Sequence, residues 1–276
     1  QPKAVDQEYD LWCNNDLHTR GNTQWFYFSA GVGVGTSIVG GTAAAAAGGN
    51  KKPTVRKGLT VRFNVVNMRK SDSLCNFGMR PVVLSTNELA SSQVGWTHEG
   101  EDVCYYRHCS TGKSGGGGGK GVGGGSMYAL SFVYTFKSDS DTVFFAYNFP
   151  YTFSRLQRLV HRLELDPIRQ KVFRRRLLCR TLSGNACDVL TVTAPIKSDE
   201  ELAQRKIVVV SSRVHPGETV ASWMMHGLID FITGSSPVAC ELREKIIFKL
   251  IPMLNPDGVI NGNYRCSLAG IDLNRR

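Results

Sequence analysis

The chain lacks several features that would assign it to a membrane, secreted or redox class. It has no run of about 18 apolar residues, the length that predicts a membrane-spanning helix. Its polar start has no signal-peptide pattern. The eight cysteines include no Cys-x-x-Cys pair, so we expect reduced, packed thiols and no metal role for Cys104 and Cys109, which flank a predicted turn.

What is present suits a globular protein of two domains. The chain has 276 residues, of which 42% are hydrophobic and 9% aromatic, enough for a sizeable core. The net charge is +10 and is unevenly distributed, with nine basic and two acidic residues between Tyr151 and Arg180. A basic stretch of this density attracts polyanions, although an exposed helix face would give the same pattern.

Residues 1–150 have the pattern of an antiparallel β-sandwich domain. Residues 59–65 alternate between apolar and polar, and residues 127–136 and 143–147 are rich in aromatic and β-branched side chains. Two low-complexity inserts, at about 30–52 and 111–125, fall between predicted strands, and we expect both to be flexible surface loops.

From residue 151 to 276 the pattern changes to alternating strands and helices. Ser154 is a candidate N-cap for a helix that ends near Leu165, before Asp166-Pro167. Strands are expected at 176–182, 188–194, 205–211 and 246–251, and helices at 218–233 and 237–244. This order predicts an α/β layer with a largely buried mixed sheet, so the whole chain is an α+β protein of two domains.

His215 and Glu218 are candidate metal ligands. They follow the apolar run Ile207–Val210, which we expect to be a buried strand, and the intervening Pro216-Gly217 is a turn signal. An imidazole nitrogen with a carboxylate oxygen is a zinc-type ligand set, and catalytic zinc usually has a third protein ligand.

Two further His-x-x-Glu pairs show that spacing alone is weak evidence. His98 and Glu101 lie in a polar segment that we expect to be a loop, and His161 and Glu164 lie on the predicted helix near Leu165. On a helix, side chains three residues apart usually form an exposed pair. Only His215 and Glu218 have a strand before them and a helix after them, which is the context that a metal site needs.

Further motifs give the chain a resemblance to a known family. A second apolar strand leads into Leu254–Gly258, and Asn263–Arg275 contains Tyr-Arg-Cys-Ser and Asp-Leu-Asn-Arg. With the His215–Glu218 motif, this resembles the zinc carboxypeptidases of the carboxypeptidase A type, and most closely their cytosolic carboxypeptidase branch. The N-terminal part resembles the domain found only in that branch, at Tyr27-Phe28, Arg62–Ser73, Gly78–Pro81, Tyr105-Tyr106 and Phe145–Ser154.

The resemblance implies a role for each matching residue. His215 and Glu218 match the first two ligands of one Zn²⁺ ion. Arg265 matches the arginine that polarises the scissile carbonyl and stabilises its oxyanion. Asn274 and Arg275 match the pair that binds the free C-terminal carboxylate of the substrate, a task that suits a planar guanidinium.

In this family the third zinc ligand, a histidine, and the catalytic glutamate follow the Asn-Arg motif. The 276 residues stop at Arg276 and contain neither of them, and His226 does not fit the pattern of the third ligand. We therefore expect the chain to be an N-terminal fragment, comprising the sandwich domain and part of a catalytic domain. By itself it should bind zinc weakly and hydrolyse nothing.

The resemblance also implies partners and a location. The expected activity of the complete protein is removal of C-terminal residues, glutamate above all, from acidic protein tails such as those of tubulin, in the cytoplasm and at microtubules or axonemes. Neither nucleic acid nor a membrane is an expected partner. The alternative is a non-catalytic protein that binds microtubules or another acidic partner through the basic stretch at 151–180.

Overall fold

A computed structural model describes residues 3–31, 43–45, 55–108 and 127–275. The chain divides into two compact units, Gln1–Phe149 and Pro150–Arg276. Within the described residues, no helix is long and apolar enough to cross a membrane, and the cysteines form no disulfide.

The described residues of the first unit form nine strands and one short helix. A 3-10 turn at Leu74–Phe77 adds to them. The elements are β1 (Gln7–Cys13), β2 (Tyr27–Gly31), β3 (Ala43–Ala45), β4 (Thr60–Met68), β5 (Val82–Ser85), α1 (Thr86–Ser92), β6 (Thr97–His98), β7 (Glu101–His108), β8 (Met127–Thr135) and β9 (Thr142–Ala146).

These strands form two sheets packed face to face. The sheets have the orders β3-β1-β4-β8-β7 and β2-β9-β5-β6. Aromatic rings join them: Phe63 of β4 lies 5.2 Å from Phe28 and 5.0 Å from Phe145, between ring centroids. Such inward-facing aromatic pairs form the core of a sandwich, so the predicted sandwich architecture is confirmed.

The sandwich differs from the prediction in two respects. It is not wholly antiparallel, because β1 pairs with β4 in parallel. After β1 the chain crosses to the other sheet as β2 and returns as β3, which lies antiparallel beside β1. Strand β4 then lies on the other side of β1 and runs in the same direction as β1. The insert at 30–52 is not entirely a loop, because its residues Ala43–Ala45 pair with β1 as β3. The rest of the 30–52 insert beyond Gly31, and the whole of 111–125, lie outside the described residues.

The second unit is an α/β layer on a four-stranded mixed sheet. Its elements are α2 (Phe153–Leu165), β10 (Phe173–Arg180), β11 (Ala186–Val192), α3 (Asp199–Gln204), β12 (Lys206–Ser211), α4 (Thr219–Thr233), α5 (Pro237–Lys245), β13 (Ile246–Ile251) and α6 (Pro256–Asn261), with a 3-10 turn at Arg169–Lys171. The order is β10-β11-β13-β12, and only β12 and β13 are parallel. The predicted mixed sheet is confirmed.

Apolar faces of α2 and α4 form the core of this unit with the sheet. Leu159 and Ile229 pack with Leu190 and Leu250 of the central strands, and all four are fully buried. The N-cap of α2 is Thr152, whose hydroxyl accepts from the Arg155 amide, and not Ser154 as predicted. Both residue types cap helices well, so composition does not distinguish them.

Strand β12 is less buried than expected. Val208 and Val210 pack against the core of the unit, whereas Ile207 and Val209 are 63% and 64% exposed. Alternate residues of a strand point to opposite faces, and β12 is an edge strand of the described sheet. The prediction of a fully buried strand at this position is therefore wrong for one of its faces.

Candidate functional site

The segment between β12 and α4 carries the two candidate metal ligands. It is held by backbone hydrogen bonds to the segment that follows the neighbouring parallel strand β13. The Leu254 amide donates to the Ser212 carbonyl (2.9 Å), and the Asn255 side-chain amide donates to the Val214 carbonyl (3.3 Å). Because β12 and β13 are parallel, their C-terminal ends meet at one edge of the sheet, where α/β proteins often bind ligands.

His215 and Glu218 are brought together by this segment. The Nδ1 atom of His215 lies 2.9 Å from Oε1 of Glu218. The side chain of His215 is only 7% exposed, whereas that of Glu218 is 53% exposed. A buried, oriented imidazole thus faces a carboxylate that solvent and small ions can reach.

Asp272 holds the other nitrogen of the imidazole. Its Oδ1 atom lies 3.0 Å from Nε2 of His215 and accepts from the Asn274 amide at 2.9 Å, while Oδ2 accepts from Nε of Arg265 at 2.5 Å. Desolvation acts to raise the pKa of Asp272, but these hydrogen bonds outweigh it and lower the pKa to about 2. The carboxylate is therefore ionised at neutral pH, and it fixes the orientation of His215.

The structure places the three other predicted residues in the segment around Asp272. Arg265 is half-buried through its contact with Asp272. Asn274 and Arg275 are exposed, and Nη1 of Arg275 donates to the Asn274 carbonyl at 3.0 Å. Arg265 is therefore linked to His215 through the shared carboxylate of Asp272, whereas Asn274 reaches Asp272 through its backbone amide.

Two glycines allow the segments of this site to lie close together. The Gly217 amide donates to the Tyr264 carbonyl at 2.7 Å, and a Cβ atom on Gly217 would lie 2.9 Å from that same oxygen. A Cβ atom on Gly258 would lie 2.5 Å from the ring of Pro216 and 2.8 Å from the Cys266 carbonyl. Any larger residue at either position would push apart segments that carry the site.

The donor atoms of this site fit a zinc ion. An imidazole nitrogen and a carboxylate oxygen lie next to each other, and the second ring nitrogen contacts a carboxylate, as is usual for a histidine that binds zinc. Among the described residues, no group of three or more His, Cys, Asp or Glu side chains has an arrangement that could hold a metal. Within the described residues, His215 and Glu218 are therefore a pair of candidate ligands without a third.

The remaining candidate histidines have other environments. His98 contacts the Arg80 carbonyl through Nδ1 at 3.0 Å, and His161 is exposed on α2. His226 contacts the Tyr151 hydroxyl at 3.0 Å, and desolvation lowers its pKa. His226 is therefore a packing residue of α4, as the sequence suggested.

Sequence reasoning missed two residues of the site. Asp272 belongs to the Asp-Leu-Asn-Arg motif, and its place two residues before Asn274 is the signal that could have indicated a role. Arg213 has no such signal in the sequence. It is 3% exposed, its φ is +57°, and desolvation lowers its pKa to about 10, so that it stays charged at neutral pH.

Comparison with known proteins relates this chain to metallocarboxypeptidases. The family described as "Zinc carboxypeptidase" matches residues 170–276. The chain is 43% identical to cytosolic carboxypeptidase 1 of Xenopus laevis and 42% identical to that of Homo sapiens, over 98% of this chain and 20% of each relative. It is 41% identical to cytosolic carboxypeptidase 2 of Danio rerio, over 97% of this chain and 33% of the relative. The chain thus spans only a fifth to a third of these relatives.

Solved structures show the same fold. A metallo-carboxypeptidase from Burkholderia cenocepacia has a TM-score of 0.64 at 21% identity, with 96% of this chain and 55% of that chain covered. One from Pseudomonas aeruginosa also has a TM-score of 0.64 at 21% identity, with coverages of 100% and 57%. At this identity, the likeness concerns the fold alone.

Proposed function

The chain belongs to the cytosolic carboxypeptidase family, and from this premise we propose that it provides the first part of a zinc carboxypeptidase active site. The observation that carries the proposal is the pairing of His215 with Glu218, with Asp272 on the other side of the imidazole. Among the described residues we assign two ligands and no general base.

In this proposal His215 and Glu218 hold one zinc ion, which supplies a Lewis acid when bound. Asp272 accepts a hydrogen bond from the Nε2–H of the imidazole, and this tautomer leaves the lone pair of Nδ1 free for the metal. The same carboxylate orients Arg265, whose positive charge would stabilise the negative charge that develops on the scissile carbonyl oxygen. One anionic group thus positions both a ligand and a cation.

Asn274 and Arg275 would bind the end of the substrate. Both are exposed, so a peptide can reach them. A guanidinium binds a carboxylate through two parallel hydrogen bonds, which favours a peptide with a free C-terminus over one that is blocked. We further propose that the substrates are acidic protein tails ending in glutamate, such as those of tubulin, and that the protein acts in the cytoplasm and at microtubules or axonemes.

Zinc binding by this chain tests the ligand assignment. Isothermal titration with Zn²⁺ should give a weak site in the parent chain that is lost in His215→Ala and in Glu218→Ala. The matched control is His161→Ala, which alters the other helix-associated His-x-x-Glu pair. If His161→Ala removed binding and His215→Ala did not, the assignment would be wrong.

Binding to an acidic partner without catalysis is a second candidate function. Several basic side chains of the 151–180 stretch are already engaged: Arg155 stacks on Trp223, Arg169 pairs with Asp230, and Arg175 pairs with Asp188. Arg158 and Arg162 of α2 and Arg176 of β10 are exposed. These three residues favour a polyanion as a partner.

Sedimentation with microtubules tests this second candidate. The parent chain should co-sediment with intact microtubules and should bind less after proteolytic removal of the tubulin tails. Replacement of Arg158, Arg162 and Arg176 by Glu should abolish tail-dependent binding, and reversal of exposed Arg56 and Lys57 in the first unit is the control. Equal loss in both variants would indicate a general charge effect and would overturn this candidate.

A further inference from the structure

Arg213 has three unfavourable features at once. It is a non-glycine residue in the left-handed region, with φ of +57°, a conformation that costs about 1–2 kcal/mol. Its side chain is buried, and none of its hydrogen bonds goes to a carboxylate. It also lies at the N-terminal end of α4, where the helix dipole disfavours a positive charge. Strain of this kind, retained at one residue, indicates a functional constraint.

The guanidinium joins three parts of the second unit. Its Nε atom donates to the Pro216 carbonyl at 2.8 Å, and Nη1 donates to the Tyr151 carbonyl at 3.1 Å and to the Ser222 hydroxyl at 2.8 Å. The bond to Pro216 closes a ring that runs from residue 213 through His215 to residue 216. The bond to Ser222 attaches this ring to the first turns of α4, directly after Glu218.

A second buried arginine, Arg243 of α5, contacts the opposite end of α4 and provides a comparison. Arg243 is 6% exposed, and its Nη1 donates to the carbonyls of Ile232 and Gly234, at the C-terminal end of α4. A cation there is favoured by the helix dipole and satisfies terminal carbonyls. Arg243 is therefore explained by helix stability, whereas Arg213 is not.

We propose that Arg213 is a positioning residue that holds the His215–Glu218 turn in the geometry that binds zinc. This inference rests on the proposed function, because it takes His215 and Glu218 as the ligands. The ring closed on Pro216 restrains the backbone on both sides of His215. The bond to Ser222 restrains the start of α4, from which Glu218 projects.

The test compares Arg213→Lys with Arg243→Lys in the 276-residue chain. Both variants keep a positive charge but lose the planar arrangement of donors. Zn²⁺ titration should show a loss of affinity of about 10-fold or more for Arg213→Lys, the effect typical of residues that orient metal ligands. The zinc affinity of Arg243→Lys should stay within about twofold of that of the parent chain, even if its melting temperature falls by as much as that of Arg213→Lys.

Hydrogen exchange gives a second measurement that does not depend on zinc. The backbone amides of Val214, His215, Gly217 and Glu218 should exchange faster in Arg213→Lys than in the parent chain, while Arg243→Lys should affect only the end of α4. If Arg213→Lys does not fold, Ser222→Ala can replace it, because this change removes one hydrogen-bond acceptor of the Arg213 guanidinium. Ser222→Ala should also lower the zinc affinity, by less than is expected for Arg213→Lys.

The outcomes separate this inference from the proposed function. If the parent chain binds zinc and Arg213→Lys binds it equally well, Arg213 does not position the ligands. If the parent chain binds no zinc at all, the ligand assignment fails. In that case hydrogen exchange still tests the positioning role of Arg213. Unchanged exchange between residues 214 and 218 in Arg213→Lys would overturn it.

Discussion

His215 and Asp272 lie 57 residues apart in the sequence, and Nε2 of the imidazole is 3.0 Å from Oδ1 of the carboxylate. The same carboxylate accepts hydrogen bonds from Arg265 and from the Asn274 amide. The Asp272 side chain therefore links the loop after β12 to the segment after α6, in addition to the backbone hydrogen bond between Gly217 and Tyr264. A change at Asp272 should affect the orientation of both the ligand and the cation.

Asp272→Asn should weaken zinc binding by about 10-fold or more, because a carboxylate at the second ring nitrogen orients a histidine ligand and raises its basicity. Isothermal titration measures this, and Asp257→Asn is the matched control. Asp257 is also a buried carboxylate, but it binds Thr181, Ser183 and Asn185 and does not contact His215. Equal zinc affinity in Asp272→Asn and the parent chain would show that the contact does not orient the ligand.

Gly217→Ala should destabilise the protein by about 1–3 kcal/mol, the usual cost of overpacking. The added Cβ atom would lie 2.9 Å from the Tyr264 carbonyl, which belongs to the backbone and cannot rotate away. Gly227→Ala is the control: it lies within α4 with nothing within 4 Å of the added atom, and should stabilise the helix by about 0.5–1 kcal/mol. Urea unfolding of both variants should therefore give shifts of opposite sign.

Local patterns predicted much of the second unit. The apolar runs predicted β12 and β13, and Pro216-Gly217 predicted the turn that follows β12, because these elements depend on residues close in sequence. Asp272 was missed because its partner is 57 residues away, and no local pattern indicates which distant side chain an aspartate will meet. Arg213 was missed because an arginine after two serines has the sequence signature of an exposed turn, and only the folded chain buries it.

The first unit shows the same limit for strand pairing. The aromatic and β-branched residues of β8 and β9 predicted strands, and Phe63, Phe132 and Phe145 pack as such patterns require. The parallel pairing of β1 with β4 depends on the path of the chain through the second sheet, which periodicity does not encode. The exposure of Ile207 and Val209 likewise depends on which face of β12 other elements cover.

Stability should depend on pH through Asp257. Desolvation acts to raise the pKa of this carboxyl, but hydrogen bonds from Asn185, Thr181 and the Ser183 amide outweigh it and lower the pKa below its ordinary value of 3.8. The unfolded chain therefore takes up the proton first as the pH falls. The contribution of Asp257 is fully present well above pH 3.8 and is lost as the pH falls through the lowered value.

Urea unfolding from about pH 6 to pH 2 measures this effect. Asp257→Asn should be less stable than the parent chain at the upper end, by about 1–3 kcal/mol for a broken buried network. The difference should shrink toward the acidic end. A difference that stays constant with pH would show that the ionised form of Asp257 is not preferentially stabilised by folding.

Arg275→Ala should impair recognition of a free C-terminus in a longer, hydrolytically active form of this protein. A charge-assisted hydrogen-bond pair contributes about 1.5–3 kcal/mol, so kcat/KM for a peptide with a free C-terminal glutamate should fall by about 10- to 150-fold. Because the same guanidinium has no role for a peptide whose C-terminus is amidated, the low activity on that substrate should not change. Arg56→Ala, which changes an exposed arginine of the first unit, is the control and should leave the activity on both substrates unchanged. An unchanged kcat/KM in Arg275→Ala would mean that the terminal carboxylate is bound by another residue.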